Sequence, residues 1–192
     1  LVQVIARGLV RTGVGADAVT WVGFAIGVAA ATSIAMQSYA LGLALLLASR
    51  LADGLDGPVA RLTQPTDRGA FLDISLDFLF YASIPLAFAI ANPAANALPA
   101  AVLLAAFVGT GSSFLAFSVL AQKRGLQSAQ YPNKGIYYLG GLTEATETPV
   151  CVALMCLWPD HFAWWAYGFA ALCALTIATR IVGGAKVLSR GV

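Results

Sequence analysis

The sequence predicts an all-α integral membrane protein, with six transmembrane helices and a short N-terminal amphipathic helix in the membrane interface. Three observations carry that reading. The chain of 192 residues is 59 % apolar and only 10 % charged, and its mean hydropathy of +0.81 lies far outside the range of soluble domains. Its apolar residues gather in runs of about 20, the length that crosses a hydrocarbon core as a helix. Its charges collect at the ends of those runs on one side instead of scattering.

Taken in order, Val2, Ile5, Ala6, Leu9 and Val10 share one helical face, with Gln3, Arg7 and Arg11 elsewhere. That is the pattern of a helix lying in the interface with its basic residues toward anionic headgroups. Gly13, Gly15 and the polar Thr12 and Asp17 mark a break, with Asp17 expected to cap the next helix. Six spans follow, over residues 18–36, 39–60, 69–91, 98–121, 137–157 and 162–182. Only helices and closed barrels satisfy the backbone in lipid, and these runs lack the alternation and turn spacing of barrel strands. Breakers at Asn92-Pro93 and Trp158-Pro159-Asp160 fit the connections. With no repeat and no long linker, residues 1–192 read as one domain.

Every lysine and arginine falls at or near one face: Arg7, Arg11, Arg50, Arg61, Arg68, Lys123, Arg124, Lys134, Arg180, Lys186 and Arg190. The loops near residues 37, 92–98 and 158–162 have none, so both termini are expected in the cytoplasm. On the other side Asp160 and His161 sit beside Trp158, Trp164 and Trp165, which read as a solvated pair within an aromatic belt. The net charge of +2 and the absence of a basic tail argue against a nucleic-acid partner. Cys151, Cys156 and Cys173 stand in apolar stretches without the close Cys/His pairing of a zinc site, and are expected as buried free thiols.

Against this background, Ser49 to Phe78 holds five aspartates and three arginines in thirty residues. It covers the end of the second span, a tight turn around Thr63 to Asp67 and the start of the third, so two antiparallel helices meet there. Asp53 and Asp56 are three apart and Asp73 and Asp77 four apart, each pair on one helical face. Both pairs lie about a dozen Å from the turn at about 1.5 Å of rise per residue, so all four carboxylates can meet at one depth. Their repulsion in a low-dielectric site demands positive charge. Arg50 and Arg61 offset part of it, and one or two divalent cations fit the rest. Oxygen ligands without nearby His or Cys favour Mg²⁺ or Mn²⁺ over zinc. Such a site in turn usually serves a phosphate. Gly54 reads as a helix-packing glycine, and Gly57, beside Asp56 and four before Arg61, as a docking surface for a diphosphate that Ala60 extends. The remaining aspartate, Asp67, is expected to cap the third span.

The run Asp53-x-x-Asp56-Gly57-x-x-Ala60-Arg61, followed by Gly69-x-x-x-Asp73-x-x-x-Asp77, resembles the signature of the CDP-alcohol phosphotransferase (phosphatidyltransferase) family. Seven residues separate Arg61 from Gly69 where many members have eight, which reads as a shorter turn. The resemblance implies a six-span transferase of phospholipid biosynthesis in the bacterial inner membrane, commonly a homodimer, with its site on the cytoplasmic face. Such an enzyme moves a substituted phosphoryl group from a CDP-linked lipid donor, usually CDP-diacylglycerol, to a water-soluble alcohol acceptor and releases CMP. Carried onto this chain, it implies Asp53, Asp56 and Asp73 as metal ligands, and Asp77 as both near a metal and general base. It also implies Gly57, Ala60, Arg61 and Gly69 as contacts to the CDP portion.

In the second half, Thr110, Ser112 and Ser113 are expected to hydrogen-bond across helices. Glu144 and Glu147 share a helical face and either line the acceptor pocket or pair with Arg180. Lys134 and Arg180 are placed to bind an anionic group, which makes a phosphorylated acceptor such as glycerol 3-phosphate or an inositol phosphate attractive. Two other enzyme or transport classes use intramembrane acids. An aspartate-rich prenyltransferase needs more spans and lacks the Gly-Ala-Arg spacing. A small ion transporter distributes its acids through the bilayer depth, whereas these cluster at one end. An inactive scaffold is the third alternative, and retention of every motif type argues against it.

Overall fold

The computed structural model describes residues 2–125 and 147–189. They form helices α1 (Val2–Arg11), α2 (Ala16–Ala35), α3 (Tyr39–Leu62), α4 (Asp67–Ala91), α5 (Pro93–Lys123), α6 (Glu147–Leu157) and α7 (Phe162–Ser189). A 3-10 turn, Pro159–His161, joins the last two, and no strand occurs among the described residues.

Among the described residues, four stretches are long and apolar enough to cross a membrane: α2, α4, α5, and α7 with its preceding turn. At 24 residues α3 has the length, but its second half carries Arg50, Asp53, Asp56 and Arg61. The fifth apolar run is represented by the 11 residues of α6, and residues 137–146 lie outside the described part.

Lipid tails are as apolar as leucine, so helix association here rests on close packing and polar contacts more than on removal from water. Gly27 illustrates this: a Cβ there would come within 2.5 Å of the Phe80 ring and 3.0 Å of Ser49 Oγ. Its bare backbone lets α2 lie against α3 and α4 together. Ser49 Oγ adds a hydrogen bond to the Gly23 carbonyl at 2.8 Å. Toward the other end of the bundle Phe88 stacks between Tyr39 and Phe162, with ring centroids 5.7 and 4.5 Å apart. Cys151, Cys156 and Cys173 are buried thiols among these core residues, as the sequence implies.

The first helix forms where its periodicity places it, and Ala6 is fully buried in a cluster with Val19 and Val59, which docks α1 on the end of α3 that bears the charges. At the opposite end Gln37, at φ +61°, turns α2 into α3. Its side chain donates to the Ala91 carbonyl at 2.8 Å, satisfying one of the open acceptors at the C-terminus of α4.

Two capping expectations are corrected. Asp17 does not cap α2: Gly15, with extended backbone, is the N-cap, and Asp17 lies in the first turn. From there it pairs with Arg68 of α4, Nε to Oδ2 3.4 Å. Asp67 does not cap α4 either, because the Thr66 hydroxyl accepts from the Gly69 amide at 3.0 Å and takes that position. Asp67 then opens the helix, where its charge complements the helix dipole.

Candidate active site

Helices α3 and α4 are joined by the four residues 63–66, and both pack against α2. The acidic pairs of the two helices face each other one to three turns from the connection. Carboxylate oxygens of Asp53, Asp56 and Asp73 lie within 4.8 Å of one another. Asp56 is buried, Asp53 is partly covered and Asp73 is exposed, so the trio forms a wall with one open side.

Each oxygen of Asp56 is held. The Gly57 amide donates to Oδ1 at 2.6 Å, and Thr20 of α2 donates to Oδ2 at 2.9 Å. Thr20 also donates to the Ala16 carbonyl at 3.1 Å, a shared bond that anchors the hydroxyl on its own helix. The fourth aspartate, Asp77, stands with a different partner. Arg50 Nη1 lies 2.6 Å from Asp77 Oδ1 and 3.3 Å from Asp53 Oδ2, and so ties α3 to α4 across the site. The Arg50 guanidinium lies over the Phe80 ring, 4.0 Å from its centroid.

The donor set fits a hard divalent cation. It offers three oxygens from two helices at one depth, with every cysteine remote in the core and among the described residues only one arginine compensating the four carboxylates. Gly54 does not pack against a neighbouring helix, contrary to the sequence reading. A Cβ at Gly54 would meet nothing within 4 Å, because the residue faces a cavity of about 840 Å³.

That cavity runs from the acidic cluster into the second half of the chain. Asp53, Asp73, Asp77 and Arg50 line one side, and Thr110, Ser112, Thr148 and Arg180 another. Arg180 is buried; its Nη1 donates to the Thr110 carbonyl at 3.3 Å and its guanidinium lies 5.6 Å from the Phe114 ring centroid. Among the described residues the hydroxyls of Thr110, Ser112 and Ser113 do not reach across helices as the sequence reading has it. They bond back to the carbonyls of Ala106, Gly109 and Thr110 on their own helix, the common fate of Ser and Thr within helices.

Of the residues named from sequence, Asp53, Asp73, Asp77 and Arg180 share this cavity and Asp56 joins its first two through the oxygen cluster. Gly57, Ala60, Arg61 and Gly69 lie nearer the turn on the same two helices, outside the cavity lining. Around Gly57 the one atom near a Cβ would be Arg61 Nη1 at 3.5 Å, so that face is open. Glu147 lines a separate apolar groove with Val150, Cys151 and Trp165. Lys134 and Glu144 lie outside the described residues. Sequence reasoning missed Thr20 and the Asp17–Arg68 pair, and it saw Arg50 as diffuse compensation when its spacing three before Asp53 already put both on one face.

Comparison with known proteins agrees with this geometry. The profile of the CDP-alcohol phosphatidyltransferase family matches residues 14–180. The chain belongs to that family. It is thus an enzyme of the class that builds phospholipids by phosphatidyl transfer. It is 51 % identical over 184 residues to the inner membrane protein YnjF of Escherichia coli K12, covering 96 % of this chain and 89 % of that one. A shorter match, 46 % over 70 residues and 36 % of each chain, is to the archaetidylinositol phosphate synthase of Methanothermobacter thermautotrophicus. In fold it resembles the phosphatidylinositol phosphate synthase PgsA1 of Mycobacterium tuberculosis solved with CDP-DAG bound, at a TM-score of 0.75 and 23 % identity over 96 % of this chain and 93 % of that one. The same synthase solved with manganese and citrate gives a TM-score of 0.75 at 22 % identity, over 96 % and 88 %.

Proposed function

We propose that this chain transfers a phosphatidyl group from CDP-diacylglycerol to a hydroxyl of a phosphorylated polyol, such as glycerol 3-phosphate or an inositol phosphate, with release of CMP. The observation that carries the reading is the single cavity shared by the aspartate cluster and the buried Arg180. A carboxylate wall suits metal and diphosphate, and a guanidinium across the same space suits an anionic acceptor.

In this reading Asp53, Asp56 and Asp73, with Asp77 alongside, hold one or two Mg²⁺ or Mn²⁺ ions. Such ions, when bound, neutralise the diphosphate and stabilise the departing CMP. Gly57, Ala60, Arg61 and Gly69 receive the CDP portion, whose approach the open face of Gly57 admits. Arg180, and Lys134 with it, hold the acceptor's phosphate. Asp77 takes the proton of the attacking hydroxyl. The acceptor oxygen bonds to the phosphorus carrying the diacylglycerol, the bridging P–O bond to CMP breaks, and CMP leaves with the electron pair.

The same reading makes the whole chain one domain of six spans, with α3 and the run ending in α6 as the second and fifth. It sets α1 in the interface, both termini and the site at the cytoplasmic face of the inner membrane, and two copies in a homodimer. The lysine and arginine distribution supports the orientation.

The test is CMP release by purified protein with CDP-diacylglycerol, Mg²⁺ or Mn²⁺, and a panel of glycerol, inositol, serine, glycerol 3-phosphate and inositol 1-phosphate. Release with a phosphorylated polyol alone supports the reading. Release with an unphosphorylated alcohol overturns the acceptor class, and no release with any of them overturns the transfer.

A further inference from the structure

We propose that Arg50 is the positioning residue for Asp77, fixing which carboxylate oxygen faces the acceptor hydroxyl. The inference rests on the transfer reaction proposed above, and it concerns a residue outside the aspartate-glycine-arginine signature. Arg50 is itself fixed from three directions. Its guanidinium lies over the ring of Phe80, 4.0 Å from the centroid, and Phe80 stands about one turn beyond Asp77 on α4. Its Nη2 donates to Ser49 Oγ at 3.4 Å, and Ser49 is bonded onward to the backbone of α2 at Gly23. Its Nη1 reaches both Asp53 and Asp77. Both side chains line the cavity, Asp77 at 35 % exposed being the more open of the pair and Arg50 at 14 % the more covered.

The consequence is geometric. With Oδ1 of Asp77 engaged by Arg50 at 2.6 Å, Oδ2 is the oxygen left to accept a proton from a hydroxyl in the cavity. Among the described residues Arg50 supplies the side-chain hydrogen bond that orients Asp77, so without it the carboxylate is free to turn. A base displaced by about an Å costs about 100-fold in the chemical step. Arg50 does this work through Asp77 and touches no reacting atom.

The experiment compares wild type with Arg50→Met, Arg50→Ala, Arg50→Lys, Asp77→Asn and the Arg50→Met/Asp77→Asn double variant in the CMP-release assay. Arg50→Met is expected to lower kcat about 100-fold, with KM for donor and acceptor within about threefold of wild type. The double variant is expected to be no slower than Asp77→Asn, and added guanidinium to restore part of the Arg50→Ala rate. Full kcat in Arg50→Met, losses that multiply in the double variant, or no response to guanidinium overturn the proposal. Arg50→Lys, which keeps the charge, is expected to recover part of the rate, and Mn²⁺ binding by electron paramagnetic resonance reports that each variant has folded its site. An experimental structure of Arg50→Met gives a readout independent of turnover. The positioning role requires a changed Asp77 rotamer, and an unchanged one overturns it. A wild type that releases no CMP defeats the transfer reading, while the rotamer still decides the claim about Arg50.

Discussion

Thr20 Oγ1 lies 2.9 Å from Asp56 Oδ2, so a hydroxyl on the second helix holds the most buried carboxylate of the acidic cluster on the third. With the Gly57 amide on the other oxygen, Asp56 keeps one orientation. Partners of this kind orient metal ligands, and losing one typically weakens metal binding about 10- to 100-fold. Thr20→Val is expected to weaken Mn²⁺ binding by about that factor, measured by electron paramagnetic resonance, and Thr20→Ser to stay near wild type. Equal affinity in Thr20→Val would remove Thr20 from the site.

Removing metal tests the cluster as a whole. Chelation should abolish CMP release, and either Mg²⁺ or Mn²⁺ should restore it, since the cluster offers carboxylate oxygens alone. Restoration by Zn²⁺ and not by these ions would point to a different donor set.

Two glycines on neighbouring helices should respond in opposite ways. Gly27→Ala drives a methyl against the buried Phe80 ring at 2.5 Å, and overpacking of this kind costs about 1–3 kcal/mol. Gly54→Ala meets nothing within 4 Å and gains helix propensity of up to about 1 kcal/mol, yet narrows the cavity. Thermal unfolding in detergent should therefore fall for Gly27→Ala and hold or rise for Gly54→Ala, while turnover falls in both. A Gly54→Ala protein with lower stability than wild type would mean that the open face is filled.

Arg180→Gln should raise KM for a phosphorylated acceptor at least about tenfold, the loss of a charge-assisted bond, and leave KM for CDP-diacylglycerol within about twofold. If the donor's KM shifts instead, Arg180 serves the donor side of the cavity.

Much of this was legible in sequence because the signals are local. The α3–α4 turn, the two acidic pairs and the buried cysteines follow from spacing and composition. What escaped depends on three helices meeting. Nothing near Thr20 in the chain marks it as a partner of Asp56, 36 residues away. Asp17 looked like a cap because it stands beside a glycine break, but Gly15 starts the helix and frees the carboxylate for Arg68. Gly54 looked like packing because most glycines in membrane helices are; that it faces open space is a fact of rotation about α3 that composition does not encode.

The most direct test of the central claim is CMP release from CDP-diacylglycerol by wild type and Asp73→Asn, with metal and with chelator, in the presence of glycerol 3-phosphate or inositol 1-phosphate. Wild type is expected to release CMP only with both metal and acceptor, and Asp73→Asn to lose at least about 1000-fold. Release that persists with chelator, or an Asp73→Asn protein as fast as wild type, would contradict that claim.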